Sequence, residues 1–269
     1  MKRHLVPALS AGLLALCLAA NATPVVAGAA APAGGTRLGA STERLITVSD
    51  DVRHRQHRWQ PAKRQLQAKD VALRAAVAEA ATARAFKVGH LIAGQPLRWN
   101  PCAPIHWASH TSTGPADGLA VLQSAVARVA STTGTSWVYD GEIVTQPTSS
   151  WLDSHNSVLL GWSTRAGSDL LSRSTEALGT AQIAFESDGH SSPHIAAGVI
   201  ALDQSAHLPL TGNGSWRLAA LHELGHVMGL GHVSGEGQAM APVLSTSISD
   251  YQAGDLNGLR TLGARSGCL

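Results

Sequence analysis

The residues best suited to chemistry lie in one short segment, HELGHVMGLGH, at residues 222–232. His222 and His226 are four residues apart, so on a helix both imidazoles project from one face and can bind one metal ion. His232 follows and can supply a third nitrogen. Gly229 lies between the second and third histidines, where the helix must end and the chain must turn with a positive φ that glycine tolerates. The spacing therefore predicts a three-histidine metal site.

The type and number of ligands indicate which metal binds and what it does. Three neutral nitrogen ligands leave a fourth position for water, which is the arrangement of a catalytic zinc. Zinc lowers the pKa of its bound water from about 16 to about 7. Glu223, next to the first ligand, is expected to take a proton from this water and pass it to the leaving amine, a contribution of about 10²–10⁴-fold. By chance the full pattern arises in about one of ten thousand chains.

Helices are predicted around and beside this segment. The central helix covers residues 215–229, with Ser215 as N-cap and Gly229 past its end. An amphipathic helix over 117–134 places apolar residues near one face and ends at Gly134. These apolar residues are Leu119, Leu122, Val126 and Val129. A last helix fits residues 249–263, capped by Ser249 or Asp250.

Short β-branched runs predict four strands, which fall at residues 104–110, 135–141, 157–164 and 194–203. The order is strand, helix, strands, helix, loop and helix. It predicts one α+β domain over residues 96–269, with two long helices and a C-terminal helix.

The first 95 residues differ in composition from this domain. Residues 1–22 are typical of a signal peptide, with a short basic start, an apolar run and an Ala20-Asn21-Ala22 cleavage candidate; cleavage as late as residue 30 is also compatible. Residues 23–95 then form a disordered and helical segment, with a helix from about Pro61 to Lys87. This segment is either a solvated linker or a propeptide. Export predicts a secreted, extracellular protein.

Once a signal peptide is removed, Cys102 and Cys268 are the two remaining cysteines. In an oxidising compartment an even pair tends to form a disulfide. This bridge would close a loop of more than 150 residues and stabilise the fold by about 2–5 kcal/mol. Two free thiols are the alternative.

The 222–232 segment resembles the metzincin zinc peptidases, which share this extended signature and a later Met-turn. In GQAMAP, Met240 follows His232 by eight residues, and this spacing resembles the matrixins within that clan. The resemblance implies a twisted, mostly parallel sheet, a methionine beneath the metal, and Asp255 in the last helix bracing the Met-turn. The opening segment RWNPCAPIHW is similar to actinobacterial secreted matrixin-type proteases.

The sequence departs from matrixins at several points. Val233 replaces the usual serine after the third histidine, and no cysteine between residues 18 and 101 could act as a cysteine switch. Asp50 or Asp51 is a conceivable substitute. The wall of the specificity pocket would be Pro242, Val243 and Leu244, without the usual tyrosine.

Two further expectations follow from the resemblance. Matrixins bind a second, structural Zn²⁺ and Ca²⁺, but the available donors do not reproduce their ligand motif, and a histidine-rich surface loop fits better. The donors are Asp188, His190, His194, Asp203 and His207. The strand at 194–203 would be the edge strand that pairs with an extended polypeptide substrate.

The preferred function is a secreted zinc endopeptidase, and two alternatives stay open. They are a zinc-binding domain without proteolytic activity and a zinc amidohydrolase acting on a non-protein substrate. A net charge of +2, from 20 basic and 18 acidic residues, gives no reason to expect nucleic acid as a partner. The apolar run near the start is too short for stable membrane insertion. We expect a monomer.

Overall fold

The computed structural model describes residues 2–5, 64–65, 67–77, 85–172, 177–187, 192–234 and 237–269. These residues form two units. In the first, residues 64–65 and 67–77 are helical and exposed, and Arg74 forms an ion pair with Asp70 one helical turn earlier. All the other described residues belong to the second unit. The predicted cleavage site and most of the predicted propeptide lie outside the described residues.

The second unit is built on a sheet with the strand order β1-β8-β9-β7-β5-β6. Its strands are β1 (Lys2–Leu5), β5 (Ile105–His110), β6 (Trp137–Glu142), β7 (Val158–Ser163), β8 (Gly179–Ser187) and β9 (His194–Asp203). The five strands β5 to β9 are parallel except for β8, which runs antiparallel to β9. The predicted α+β fold with a mostly parallel sheet is confirmed.

Helices cover both faces of the sheet. They are α1 (Gly118–Thr133), α2 (Trp151–Ser154), α3 (Asp169–Ser172), α4 (Trp216–Val227) and α5 (Ala253–Leu262), followed by a 3₁₀ turn at Ala264–Ser266. Alternate residues of β7 show the two layers. Leu160 packs into the core shared with α1 and α4, whereas Leu159 packs with α2 and α3. Strands buried on both faces explain the long apolar runs in the sequence.

Contacts at both ends of α4 account for its position. The Ser215 side chain accepts a hydrogen bond from the N–H of Leu218, as an N-cap should. At the other end, the Trp99 indole donates to the carbonyl of Val227 at 2.8 Å. Gly229 then has φ 99°, and a Cβ there would lie 2.6 Å from the Leu97 carbonyl oxygen. Glycine is therefore needed for both conformation and space.

The expectation that the strand at 194–203 is an edge strand that pairs with substrate is wrong. Strand β9 hydrogen-bonds to β7 on one side and to β8 on the other, so its backbone is already used. Among the five strands β5 to β9, β8 stands at that edge, and the sequence analysis missed it. β1 pairs antiparallel with residues Ala184–Ser187 of β8. Because Lys2–Leu5 belong to the predicted signal peptide, this pairing describes the chain before any cleavage.

Two predicted helix boundaries are also wrong. Helix α5 has Gln252 as its N-cap, in a capping box with Asp255, rather than Ser249 or Asp250. The Asp250 carboxylate is instead held by Arg128 at 2.9 Å. Lys87, the expected last residue of the N-terminal helix, lies in a strand.

Residues 85–96 pack as part of the second unit, although they lie before or at the boundary predicted from composition. They contain β2 (Lys87–Val88), β3 (Leu91–Ile92) and β4 (Gln95–Pro96). Strand β2 pairs antiparallel with β10 (Leu230–Gly231), the strand between the second and third histidines. Residues 87–88 are therefore structurally joined to the predicted metal site.

A disulfide joins Cys102 to Cys268, with 5.4 Å between the Cα atoms. Near it, the Arg98 guanidinium donates to the carbonyls of Ser266 and Gly267 at 3.2 and 3.0 Å. The segment after α5 is thus fixed to the segment before β5. Among the described helices, none has the length and apolar character needed to cross a bilayer.

Candidate metal centre

The three histidines of the signature converge. The Nε2 atom of His222 lies 3.1 Å from those of His226 and His232, and the last two are 3.0 Å apart. His222 and His226 come from successive turns of α4, and His232 returns after the Gly229 turn. Within the described residues, this is the one cluster of potential metal ligands.

Hydrogen bonds of the two helical histidines fix which nitrogens face the centre. The Nδ1 atom of His222 donates to the Ala239 carbonyl at 2.6 Å, and that of His226 donates to the Leu230 carbonyl at 2.9 Å. A neutral ring whose Nδ1 carries the proton presents an unprotonated Nε2. Such backbone contacts are typical of metal-binding histidines.

This arrangement fits a zinc ion. Two nitrogens each about 2.0–2.1 Å from a tetrahedral zinc lie about 3.3 Å apart, close to the observed 3.0–3.1 Å. Without a cation, nitrogen lone pairs would face one another at this distance in a buried site. The donor set and its spacing therefore favour a bound cation of the zinc type.

Burial keeps the three imidazoles neutral, which a metal ligand requires. It lowers the pKa of His222 to about 4, an effect opposed by the hydrogen bond to Ala239 and increased by His232. Burial also places the pKa of His226 well below its ordinary value, helped by the other two histidines. The pKa of His232 is lowered by burial and then by the charge of Lys87.

Glu223 lies beside these ligands and is almost fully buried, with 2% of its surface exposed. Burial raises the pKa of its carboxyl group to about 8, and a hydrogen bond from the backbone of Ala181 in β8 opposes this shift. Its Oε2 atom has no hydrogen-bond partner among the described residues. A buried carboxylate oxygen without a partner is costly, so this atom is available to an incoming group.

Gly179, at the start of β8, makes room for this carboxylate. A Cβ at residue 179 would lie 3.0 Å from both Cγ and Oε1 of Glu223. Sequence reasoning missed Gly179 and Ala181 because it did not predict β8. The available signal was weak: Ile183 and Phe185 favour strands and are two residues apart, but Ala184 lies between them.

Met240 packs directly against the helix that carries the ligands. A Cβ at Gly225 would collide with the Met240 sulfur, so the small residue between His222 and His226 lets the methionine approach. Asp255 accepts hydrogen bonds from the backbone N–H groups of Ala239 and Met240, at 2.8 and 3.2 Å. The last helix thereby holds the turn that contacts His222.

A second support, missed from sequence, is the segment Ala85–Gly89, which we call the strap. The Gly89 N–H donates to the Gly229 carbonyl at 2.8 Å, and Lys87 pairs with Gly231. The Ala85 carbonyl accepts a hydrogen bond from the Gln238 side chain at 2.9 Å. The strap therefore contacts the turn before His232 and also the Met-turn segment. No local pattern in the sequence predicts contacts between residues 85–89 and residues 229–238, which are more than 130 positions apart.

The other residues singled out from sequence lie elsewhere. Leu244 is buried in the main core, with Pro242 and Val243 partly exposed beside it, so their role in substrate binding stays a prediction. Asp203 forms an ion pair with Arg165 at 2.6 Å rather than contributing to a metal cluster. Asp188 and His190 lie outside the described residues.

The sequence profile of the matrixin family matches residues 128–262, and a search of curated protein sequences returned no match. The matched region is half of the 269-residue chain and contains all three histidines, Glu223, Met240 and Asp255. Fold and site define a three-histidine metallohydrolase class. The chain belongs to the matrixin family of zinc metalloendopeptidases.

Proposed function

We propose that this protein hydrolyses peptide bonds within extended polypeptides, with Glu223 acting first as general base and then as general acid. His222, His226 and His232 would hold the zinc ion. When bound, zinc supplies Lewis-acid chemistry, polarising a carbonyl and acidifying water. A nearby cation also favours the charged form of a carboxyl group, so the raised pKa of Glu223 belongs to the metal-free site.

The observation that carries this proposal is the unpartnered, buried Oε2 atom of Glu223. A carboxylate kept only for stability would have satisfied both oxygens. The Glu223 side chain packs closely against Gly179 and accepts a hydrogen bond from the backbone of Ala181. Its Oε2 atom remains able to accept a proton and later to release it. A zinc-binding domain without catalysis would not need a carboxylate at this cost.

The test compares wild type with Glu223→Gln, which keeps the side-chain shape but removes the base. We expect equal zinc content by elemental analysis and a fall in cleavage of unfolded casein of about 10²–10⁴-fold. Adding a zinc chelator should abolish wild-type cleavage, and returning zinc should restore it. Equal activity in both proteins would refute the role of Glu223. Zinc binding without any cleavage by wild type would favour the non-proteolytic alternative.

The proposal extends to where the protein acts, which is outside the cell. The Cys102–Cys268 disulfide is typical of exported proteins, and with the predicted signal peptide it supports secretion. Residues 23–84 would then be a propeptide or linker, removed or retained upstream of the strap.

A further inference from the structure

A cleft lies directly beside the third histidine. One wall is formed by the strap and the other by the residues that follow β10. The lining residues are Ala85, Phe86, Lys87, His232, Val233 and Ser234. Because His232 belongs to both the metal site and the cleft, a group in the cleft would lie next to the bond being cleaved.

The strap wall of this cleft is held by several contacts, and on the other wall the Val233 N–H donates to the Met240 carbonyl at 3.0 Å. β2 and β10 hold the strap against Leu230 and Gly231, and the hydrogen bond from Gln238 anchors Ala85. Phe86 packs so closely on α5 that a Cβ at Gly258 would approach its Cβ to 2.9 Å. The cleft is therefore preformed, as small binding sites usually are.

Lys87 gives the cleft a positive charge. Its side chain is exposed and has no ion pair within the described part of the chain. Directly opposed residues of paired strands share a face, and the residue opposite Lys87 is Gly231, which has no side chain to cover it. Lys87 and His232 line the same cleft, so this charge lies beside the metal site.

We propose that this cleft is a substrate subsite for an acidic side chain, aspartate or glutamate, with Lys87 as the residue that selects it. The inference rests on the proposed peptidase function and adds a substrate preference to it. Phe86 and Val233 would contact the carbon atoms of the bound side chain, and the Lys87 ammonium group would pair with its carboxylate. Zinc binding and the chemistry at Glu223 do not require this pair.

The test uses the zinc-loaded full chain and peptides that differ at one position. Asp, Asn or Lys is placed in turn at each of the three residues on either side of the cleaved bond. Exposed ion pairs are weak, so we expect wild type to prefer Asp over Asn by about two- to fivefold in kcat/KM, at one position only. High salt should reduce this preference.

Variants assign the preference to its source. Lys87→Met, which keeps the aliphatic stem, should remove the preference for Asp over Asn, and Lys87→Glu should invert the preference towards Lys. Each preference is measured as a ratio of kcat/KM between peptides on the same variant. The matched control is Arg265→Met, which removes an exposed cation outside the cleft and should leave the preference intact.

An unchanged ratio of Asp to Asn cleavage in Lys87→Glu would overturn the subsite while leaving the peptidase function standing. Failure of the zinc-loaded wild type to cleave any peptide would instead refute the proposed function.

Discussion

At the scale of single residues, the site depends as much on missing side chains as on the ligands. Gly225 admits Met240 beneath the ligand helix, Gly229 permits the turn to His232, and Gly179 leaves room for Glu223. Interiors are packed closely enough that one methyl group at such a position must displace something. Under the proposed function, the Glu223 carboxylate is the neighbour whose displacement matters most for rate.

Gly179→Ala tests this spatial requirement. Its Cβ would press on Glu223 at 3.0 Å, and shifts of catalytic groups by a fraction of an ångström to an ångström are costly, so we expect kcat to fall by about ten- to hundredfold. Zinc content should stay stoichiometric because the histidines are not touched. Steady-state kinetics on a fluorogenic peptide gives the measurement.

Gly198→Ala is the matched control for this variant. Its Cβ would also press on α4, but against the apolar Val227 at 3.1 Å rather than against Glu223. It should lower stability without a selective loss of kcat. The same loss of kcat in both variants would mean that general crowding, not the position of Glu223, is responsible.

At the scale of elements, the sequence predicted those parts whose determinants are contiguous. The ligand helix, its Ser215 cap and the Gly229 turn follow from one run of residues, and α1 follows from its apolar periodicity. Strand β8 was missed because GTAQIAFES mixes small and polar residues without a strong pattern. The strap was missed because its partners, Leu230 and Gly231, are more than 140 residues away in sequence.

The N-cap of α5 illustrates the same limit. Asp250 is a good capping residue by type, yet its carboxylate binds Arg128 of α1 and the backbone N–H of Tyr251. Tertiary contacts therefore determine which of several suitable residues becomes the cap. A strand at 194–203 was predicted correctly, but its neighbours in the sheet could not be derived from its own sequence.

Phe86→Ala tests whether the strap supports the metal site. Phe86 and Leu230 both pack against Gly258, and the Leu230 carbonyl holds His226. We expect the free energy of unfolding to fall by about 1–3 kcal/mol and zinc affinity to weaken, measured by denaturation and by competition with a chromogenic chelator. Leu91→Ala, at a side chain that is 60% exposed, should change neither quantity. Unchanged zinc affinity in Phe86→Ala would show that the strap is dispensable for the site.

At the scale of the whole molecule, the metal site lies between two segments that are far apart in sequence, the strap and the last helix, α5. The strap contacts it from the N-terminal side, and Asp255 in α5 holds the Met-turn from the C-terminal side. The disulfide then fastens the segment after α5 to the segment before β5. Stability and metal binding are thereby coupled across the fold.

Replacing both cysteines, Cys102→Ser with Cys268→Ser, tests the contribution of the bridge. We expect the free energy of unfolding to decrease by about 2–5 kcal/mol, measured by urea denaturation of the zinc-loaded protein. Peptide cleavage at low temperature should persist, because neither cysteine contacts the site. Wild type treated with a reductant should show the same decrease, and the double variant should not respond to the reductant. Equal stability with and without the bridge would contradict this expectation.

The two bridged cysteines are 166 residues apart, and the three histidines, Glu223 and all strands from β5 to β10 lie between them. During synthesis Cys102 therefore remains a thiol until the chain has been made as far as Cys268. Formation of the Cys102–Cys268 disulfide is therefore a late event that requires the whole intervening chain to have been synthesised. A chain interrupted anywhere in that interval would keep a free thiol at Cys102, just before β5, and a thiol-specific reagent would distinguish it from the full-length chain.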